Sequence, residues 1–196
     1  MIASFDHRLV VLCNPKTATT SLESALKNHF EIKVSKSPKW KHLTYFRARD
    51  LFGDLFDCAG CNYVIVVGDP LDTLNSWYRY RSRDKVADDS RKSTRDISFE
   101  QFVSEWADGS TPRARVRTSV EFCYNDDVLA HSIYWHYEAL PQLTDWISDR
   151  IGEKLELPRL NVSKRADDGF DRDAMMKLPR VAACYELFEK IPAKRG

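Results

Sequence analysis

Pro15-Lys16-Thr17-Ala18-Thr19-Thr20-Ser21 sets one ammonium and a row of hydroxyls between an apolar run, Arg8 to Cys13, and a helical pattern that starts at Ser21. A loop between a strand and a helix points backbone N–H groups at the helix N-terminus, where an anion is stabilised. Lys16 adds a full charge, and Thr17, Thr19, Thr20 and Ser21 add donors. The chemistry suited to such a loop is the binding of a phosphate or sulfate group without a demand for magnesium. The nucleotide-triphosphate loop, G-x-x-x-x-G-K-S/T, is a different motif, and no Gly lies between Met1 and Asp50. The bland alternative is an ordinary helix start with spare hydroxyls.

A second segment has the same logic. Tyr63-Val64-Ile65-Val66-Val67 runs through Gly68-Asp69-Pro70 into a helical stretch from Leu71 to about Arg83 that carries Asn75, Ser76, Arg79 and Arg81. Two strand–loop–helix units place their loops on one edge of a parallel sheet, which is where ligands bind. One loop can hold one phosphate and the other a second.

A neutral imidazole suits proton removal near pH 7, so the five histidines are weighed as bases, and His42 stands directly after Lys41. The alternative is a structural or solvent-facing His42. His29, His131 and His136 read as structural, and His7 lies near the terminus. Arg113-x-Arg115-x-Arg117 puts guanidinia on one face of an extended segment. It could hold an anionic acceptor, and the favoured reading is a solvated edge strand. Asp88-Asp89 and Asp126-Asp127 read as solvated loops, not as metal sites. Cys58-Ala59-Gly60-Cys61 has no second pair to complete a zinc site and reads as thiols in a loop.

The elements that must position these groups are legible in outline. Arg8 to Cys13 and Tyr63 to Val67 are continuously apolar, as strands covered on both faces are. Ile133 to Tyr137 is aromatic and β-branched enough for a further strand. Helices are expected from Ser21 to Phe30, from Phe46 to Phe52 with a stop at Gly53, from Ser98 to about Trp106, from Glu138 to Ile151, and from Asp171 to about Lys190 with an interruption near Pro179. Strands alternating with helices imply an α/β domain with a central, largely parallel sheet flanked by helices, and an ancillary helical region between about 84 and 130. The chain of 196 residues has no linker or repeat, so 1–196 reads as a single domain. A hydrophobic share of 43% excludes a disordered chain, and a net charge of +1 excludes a global field for nucleic acid. No apolar run approaches the roughly 20 residues of a membrane span. With no signal peptide pattern and an odd count of five cysteines, a cytoplasmic protein with reduced thiols is expected.

These motifs resemble the sulfotransferases that use PAPS (3′-phosphoadenosine-5′-phosphosulfate). Their 5′-phosphosulfate loop reads Pro-Lys-Thr/Ser-Gly-Thr-Thr-Ser/Trp-Leu, which Pro15 to Leu22 follows except at Ala18. Their 3′-phosphate motif, Arg-Asp/Asn-Pro with a Ser eight positions after the Arg, is similar to Gly68-Asp69-Pro70 followed by Ser76 and Tyr78. Leu157-Pro158-Arg159-Leu160-Asn161-Val162-Ser163-Lys164 resembles a late L-P-x-L-N-x-S segment of bacterial members, and Tyr137-Glu138-Ala139-Leu140 their Y-E-x-L. The resemblance covers roughly residues 8 to 190. It implies the sulfotransferase fold, which is like that of the P-loop NTPases, and transfer of a sulfuryl group to the hydroxyl of an acceptor such as a carbohydrate or small molecule. It also implies no metal. Pro15, Lys16, Thr17, Ala18, Thr19, Thr20 and Ser21 would hold the 5′-phosphosulfate, with Lys16 stabilising the leaving phosphate and His42 as base. Ser76 would meet the 3′-phosphate, with Lys164 and Arg165 among the basic groups able to reach it. Gly68 departs from the family's arginine. That departure keeps open a second reading, a sulfotransferase-like protein that binds an anion, a nucleotide or a partner without turnover.

Overall fold

The computed structural model describes residues 1–83, 91–158, 160 and 169–192. A five-stranded sheet lies at the centre, in the order β3-β1-β2-β4-β5. Its strands are β1 (Ile2–Ser4), β2 (Leu9–Leu12), β3 (Ile32–Lys33), β4 (Asn62–Val67) and β5 (Ser132–His136). Parallel pairing joins β2 to β4, Leu9 opposite Asn62, and β4 to β5, Tyr63 opposite Ser132.

The sheet is mixed, and this corrects the expectation of a parallel one. β1 runs antiparallel to β2, and β3 antiparallel to β1. The reason is connection length. Only a short turn, with Arg8 at φ 52°, separates β1 from β2, and parallel neighbours need a crossover of a dozen or more residues.

Alternate strand residues face opposite sides, as the two-residue period requires. Val10, Leu12, Tyr63, Ile65 and Val67 pack on one side with Tyr45, Ala48 and Phe56. Leu9, Val11, Val64, Val66 and Trp135 pack on the other with Leu22, Leu26, Leu143 and Ile147. Both faces are covered, which explains the unbroken apolar runs. The helices are α1 (Thr19–Leu26), α2 (Pro38–Lys41), α3 (Tyr45–Cys58), α4 (Pro70–Arg81), α5 (Phe99–Asp108), α6 (Ser119–Cys123), α7 (Asp126–His131), α8 (Leu140–Ile151), α9 (Arg172–Met176) and α10 (Pro179–Lys190). A third cluster, with Leu71, Leu74, Phe102, Trp106 and Val181, joins α4, α5 and α10. The ancillary helical region is therefore α5 to α7, closed off by the last helix.

Several local expectations change, among them that Asp126 and Asp127 open α7 and do not lie in a loop, and that Tyr137 lies in a 3-10 turn after β5. α1 begins at Thr19, two residues before Ser21. α3 continues through Gly53 to Cys58, so Cys58 ends a helix. One interior Gly costs about 1 kcal/mol, less than the burial of Phe56 and Ala48 on the same helix returns. The segment Arg113 to Arg117 is no edge strand. Pro112–Ala114 forms a 3-10 turn, and the carbonyls of Pro112, Arg113 and Arg115 accept hydrogen bonds from the Arg81 guanidinium instead of pairing with a strand. Among the described residues, no helix is long and apolar enough to cross a membrane.

Candidate functional site

The two loops leave the C-terminal ends of the parallel neighbours β2 and β4, so they open into one cleft of about 1610 Å³. The Asn14 side chain ties them together by donating to the Val66 carbonyl at 3.0 Å. Pro15, Lys16, Ala18, Thr19, Thr20 and Ser21 all line this cleft. Thr17 does not share that lining. It is buried, and its hydroxyl donates to the Asn14 carbonyl at 3.0 Å, which closes the loop from inside.

The loop backbone is held in an unusual shape. Lys16 (φ 67°) and Ala18 (φ 55°, ψ 23°) are both left-handed. Ala18 is the N-cap of α1, and its methyl side chain caps none of the first-turn N–H groups. Those groups face the cleft end of the helix, with the partial positive charge of the helix dipole behind them.

Two ammonium groups flank the loop. Lys16 Nζ lies 4.1 Å from the Tyr80 ring centre and 4.8 Å from that of Trp77, both on α4. Burial, with the nearby Arg83 charge second, lowers the Lys16 pKa to about 8. Lys41 Nζ lies 2.9 Å from the Glu23 carboxylate and 3.5 Å from the Thr20 hydroxyl. Glu23 is itself buried on α1, so this pair anchors α2 against the loop.

His42 follows Lys41 and lines the same cleft. Its Nδ1 lies 2.6 Å from the Cys13 carbonyl. A carbonyl can only accept, so Nδ1 carries the hydrogen. Burial foremost, with the Lys41 charge assisting, holds the imidazole pKa below its ordinary value. The ring is then neutral near pH 7 with its free lone pair on Nε2, the form that takes a proton. His136 is different. Its Nε2 is 3.1 Å from the Ile191 carbonyl, and its ring stacks on Phe188, so it serves the core.

At the second loop, the Gly68 N–H donates to Ser119 Oγ at 2.9 Å. Asp69 caps α4 by accepting from the Asp72 N–H at 3.0 Å. The Tyr185 hydroxyl also donates to Asp69, and Arg172 forms an ion pair with it. Ser76 and Arg172 line the cleft. A Cβ on Gly68 would meet Thr73 Oγ1 at 3.4 Å and Tyr137 Cβ at 3.7 Å, so the backbone there does not demand glycine.

The late segments reach the same place. Leu157, Pro158, Leu160, Tyr137, Glu138 and Leu140 line the cleft, and the Leu160 N–H donates to Ser21 Oγ at 3.3 Å. Lys164 and Arg165 lie outside the described residues, as do Asp88 and Asp89. Among the described residues, no cluster of three or more His, Cys, Asp or Glu side chains could hold a metal ion.

Sequence reasoning missed Arg172, Tyr185 and the Glu23–Lys41 pair. Only Lys41 carried a signal, as the neighbour of His42. No protein-family model matches the chain, and neither the curated proteins nor the solved structures contain a match.

Proposed function

We propose that this chain is a PAPS-dependent sulfotransferase acting on a hydroxyl-bearing acceptor. One observation carries the reading. Four segments, each resembling a sulfotransferase motif, contribute to a single cleft: Pro15, Lys16 and Ala18 to Ser21 from the first, Gly68, Asp69 and Ser76 from the second, Tyr137, Glu138 and Leu140 from the third, and Leu157, Pro158 and Leu160 from the fourth. The cleft is wide enough for a nucleotide, and the uncapped start of α1 beside Lys16 suits the 5′-phosphosulfate.

PAPS, when bound, supplies the sulfuryl group and a phosphate as leaving group. The residues of the chain do the rest. His42 Nε2 takes the proton from the acceptor hydroxyl, whose oxygen forms the new bond to sulfur. The bond from sulfur to the bridging phosphate oxygen breaks, and that oxygen keeps the electron pair. Lys16 neutralises the charge growing there, the point at which a preorganised cation lowers the barrier most. Ser76 faces the 3′-phosphate side. The described free thiols, Cys13, Cys61, Cys123 and Cys184, accord with a reducing, cytoplasmic setting, which is part of this reading.

A second reading has its own observation. Gly68 supplies no guanidinium, and Arg172, beside it, is already engaged by Asp69. That arrangement favours a protein that binds an anion, a nucleotide or a partner without turnover. Calorimetric titration with PAP, the desulfated product, together with transfer of label from sulfur-labelled PAPS, separates the two. Micromolar PAP binding with label transfer supports the enzyme. Silence up to millimolar PAP overturns it.

A further inference from the structure

Pro15 and Trp77 line two clefts at once. One is the large cleft with Lys16 and His42. The other is a second cleft of about 500 Å³ on the far side of the same two residues. Val116 and Phe122 give it an apolar wall, and Arg115, Arg117 and Arg180 stand around it.

The three guanidinia are not equivalent. Arg180 is compensated: it donates to Glu121 at 2.9 Å and lies 4.0 Å over the Trp106 ring. Arg115 and Arg117 are exposed, and their side chains have no partner among the described residues. Arg113, the third member of the run, is turned away to Glu105 at 3.1 Å and does not line this cleft. Among the described residues no carboxylate lines it. The result is an apolar cavity with uncompensated positive charge beside it.

The dividing wall is built into this segment. Trp77 Nε1–H donates to the Arg117 carbonyl at 3.1 Å, which ties the arginine-bearing backbone to the wall. A molecule seated by its charge on Arg115 and Arg117 would extend past Pro15 and Trp77 toward Lys16.

We infer that the second cleft is the acceptor subsite and that it takes a hydroxy acid with an apolar body. The carboxylate sits on Arg115 and Arg117, the body packs on Val116 and Phe122, and the hydroxyl reaches over the Pro15–Trp77 wall into the main cleft. Charge complementarity selects the anion. The apolar wall selects a hydrocarbon or aryl body over a heavily hydroxylated one. This inference rests on the transferase reading for the hydroxyl's role, but the binding claim is tested without nucleotide.

The probe is 4-hydroxyphenylpropionate, with its methyl ester as neutral control, titrated calorimetrically into the full chain. The acid binds about tenfold to a hundredfold tighter than the ester, the scale of charge-assisted pairing, and its advantage shrinks as salt rises. Arg115→Ala with Arg117→Ala abolishes the advantage, while Arg115→Lys with Arg117→Lys retains part of it. Both arginine side chains are exposed, so these variants keep the fold. Equal affinity for acid and ester, no saturation by millimolar acid, or an unchanged preference in the double alanine variant overturns the subsite. Tight acid binding without label transfer from PAPS would leave the subsite standing and remove the transferase reading instead.

Discussion

The Lys16 ammonium rests 4.1 Å from the centre of the Tyr80 ring, parked on an aromatic face of α4. A cation in this position keeps a favourable partner without a carboxylate that an incoming phosphosulfate would have to displace. It is also partly desolvated, which lowers its pKa to about 8. Desolvation strengthens its interaction with any anion that reaches it.

That position leads to the first prediction. Lys16→Ala lowers turnover by at least about a hundredfold, the scale of losing one preorganised stabilising group. Wild-type kcat/KM, which reports the free protein, falls as pH rises through about 8, because the charged form is lost there. Lys16→Arg keeps its charge and moves that alkaline limb upward. Rate–pH profiles of the three proteins check this, and an alkaline limb unmoved by arginine refutes it.

In the proposed reaction His42 sets the opposite limb. Burial holds its pKa below the ordinary imidazole value, so the acid limb of the rate–pH profile lies lower than an unperturbed imidazole would place it. His42→Ala removes about 10²–10⁴ in rate and leaves PAP affinity within a few-fold. His136 is tied to the Ile191 carbonyl and does not stand in. Full sulfation by the alanine variant would assign the proton elsewhere.

Gly68→Arg tests the 3′-phosphate side. Gly68 is absent from the left-handed positions, and its Cβ site has room against Thr73 and Tyr137. The arginine therefore adds about 1–3 kcal/mol to PAP binding if it pairs with the phosphate. Adenosine 5′-phosphosulfate, which lacks that phosphate, gains nothing. An equal change for both ligands places the 3′-phosphate away from Gly68.

Ala18 bears a backbone cost. A side chain at φ 55° is strained by about 1 kcal/mol relative to glycine. Ala18→Gly is expected to raise unfolding free energy by roughly 0.5–1 kcal/mol, read by denaturant melts. A loss of stability would mean that the methyl group packs better than its dihedral suggests.

The parts of this fold that could be read from sequence are those written in long patterns. β2 and β4 announce themselves because both faces are buried, which leaves no polar alternation. β1 does not, because Ile2-Ala3-Ser4 is too short for any period to show. The Arg113–Arg117 run misleads for a clear reason. Arginines outside and Ala114 and Val116 inside reproduce a strand's alternation, while Arg81 occupies the carbonyls a neighbouring strand would need. Thr17 shows a different limit: residue type marks it as an anion donor, but its hydroxyl points inward. Arg172 could not have been found at all, since nothing in its own neighbourhood refers to Asp69.

The strand pairings beneath the cleft also determine how the domain comes into being. Leu9 meets Asn62, and Tyr63 meets Ser132, so both parallel seams join stretches that are remote along the chain. Remote seams close slowly, because the entropy of the intervening loop is lost before any contact is gained. The Pro15–Ser21 loop hangs from one side of such a seam, and Asn14 is anchored to Val66 on the other. During refolding the helices can form early, yet the cleft has no walls until the seam zips. Recovery of ligand binding should therefore trail recovery of helical signal, and a peptide cut from residues 8–30 should hold the motif without the grip.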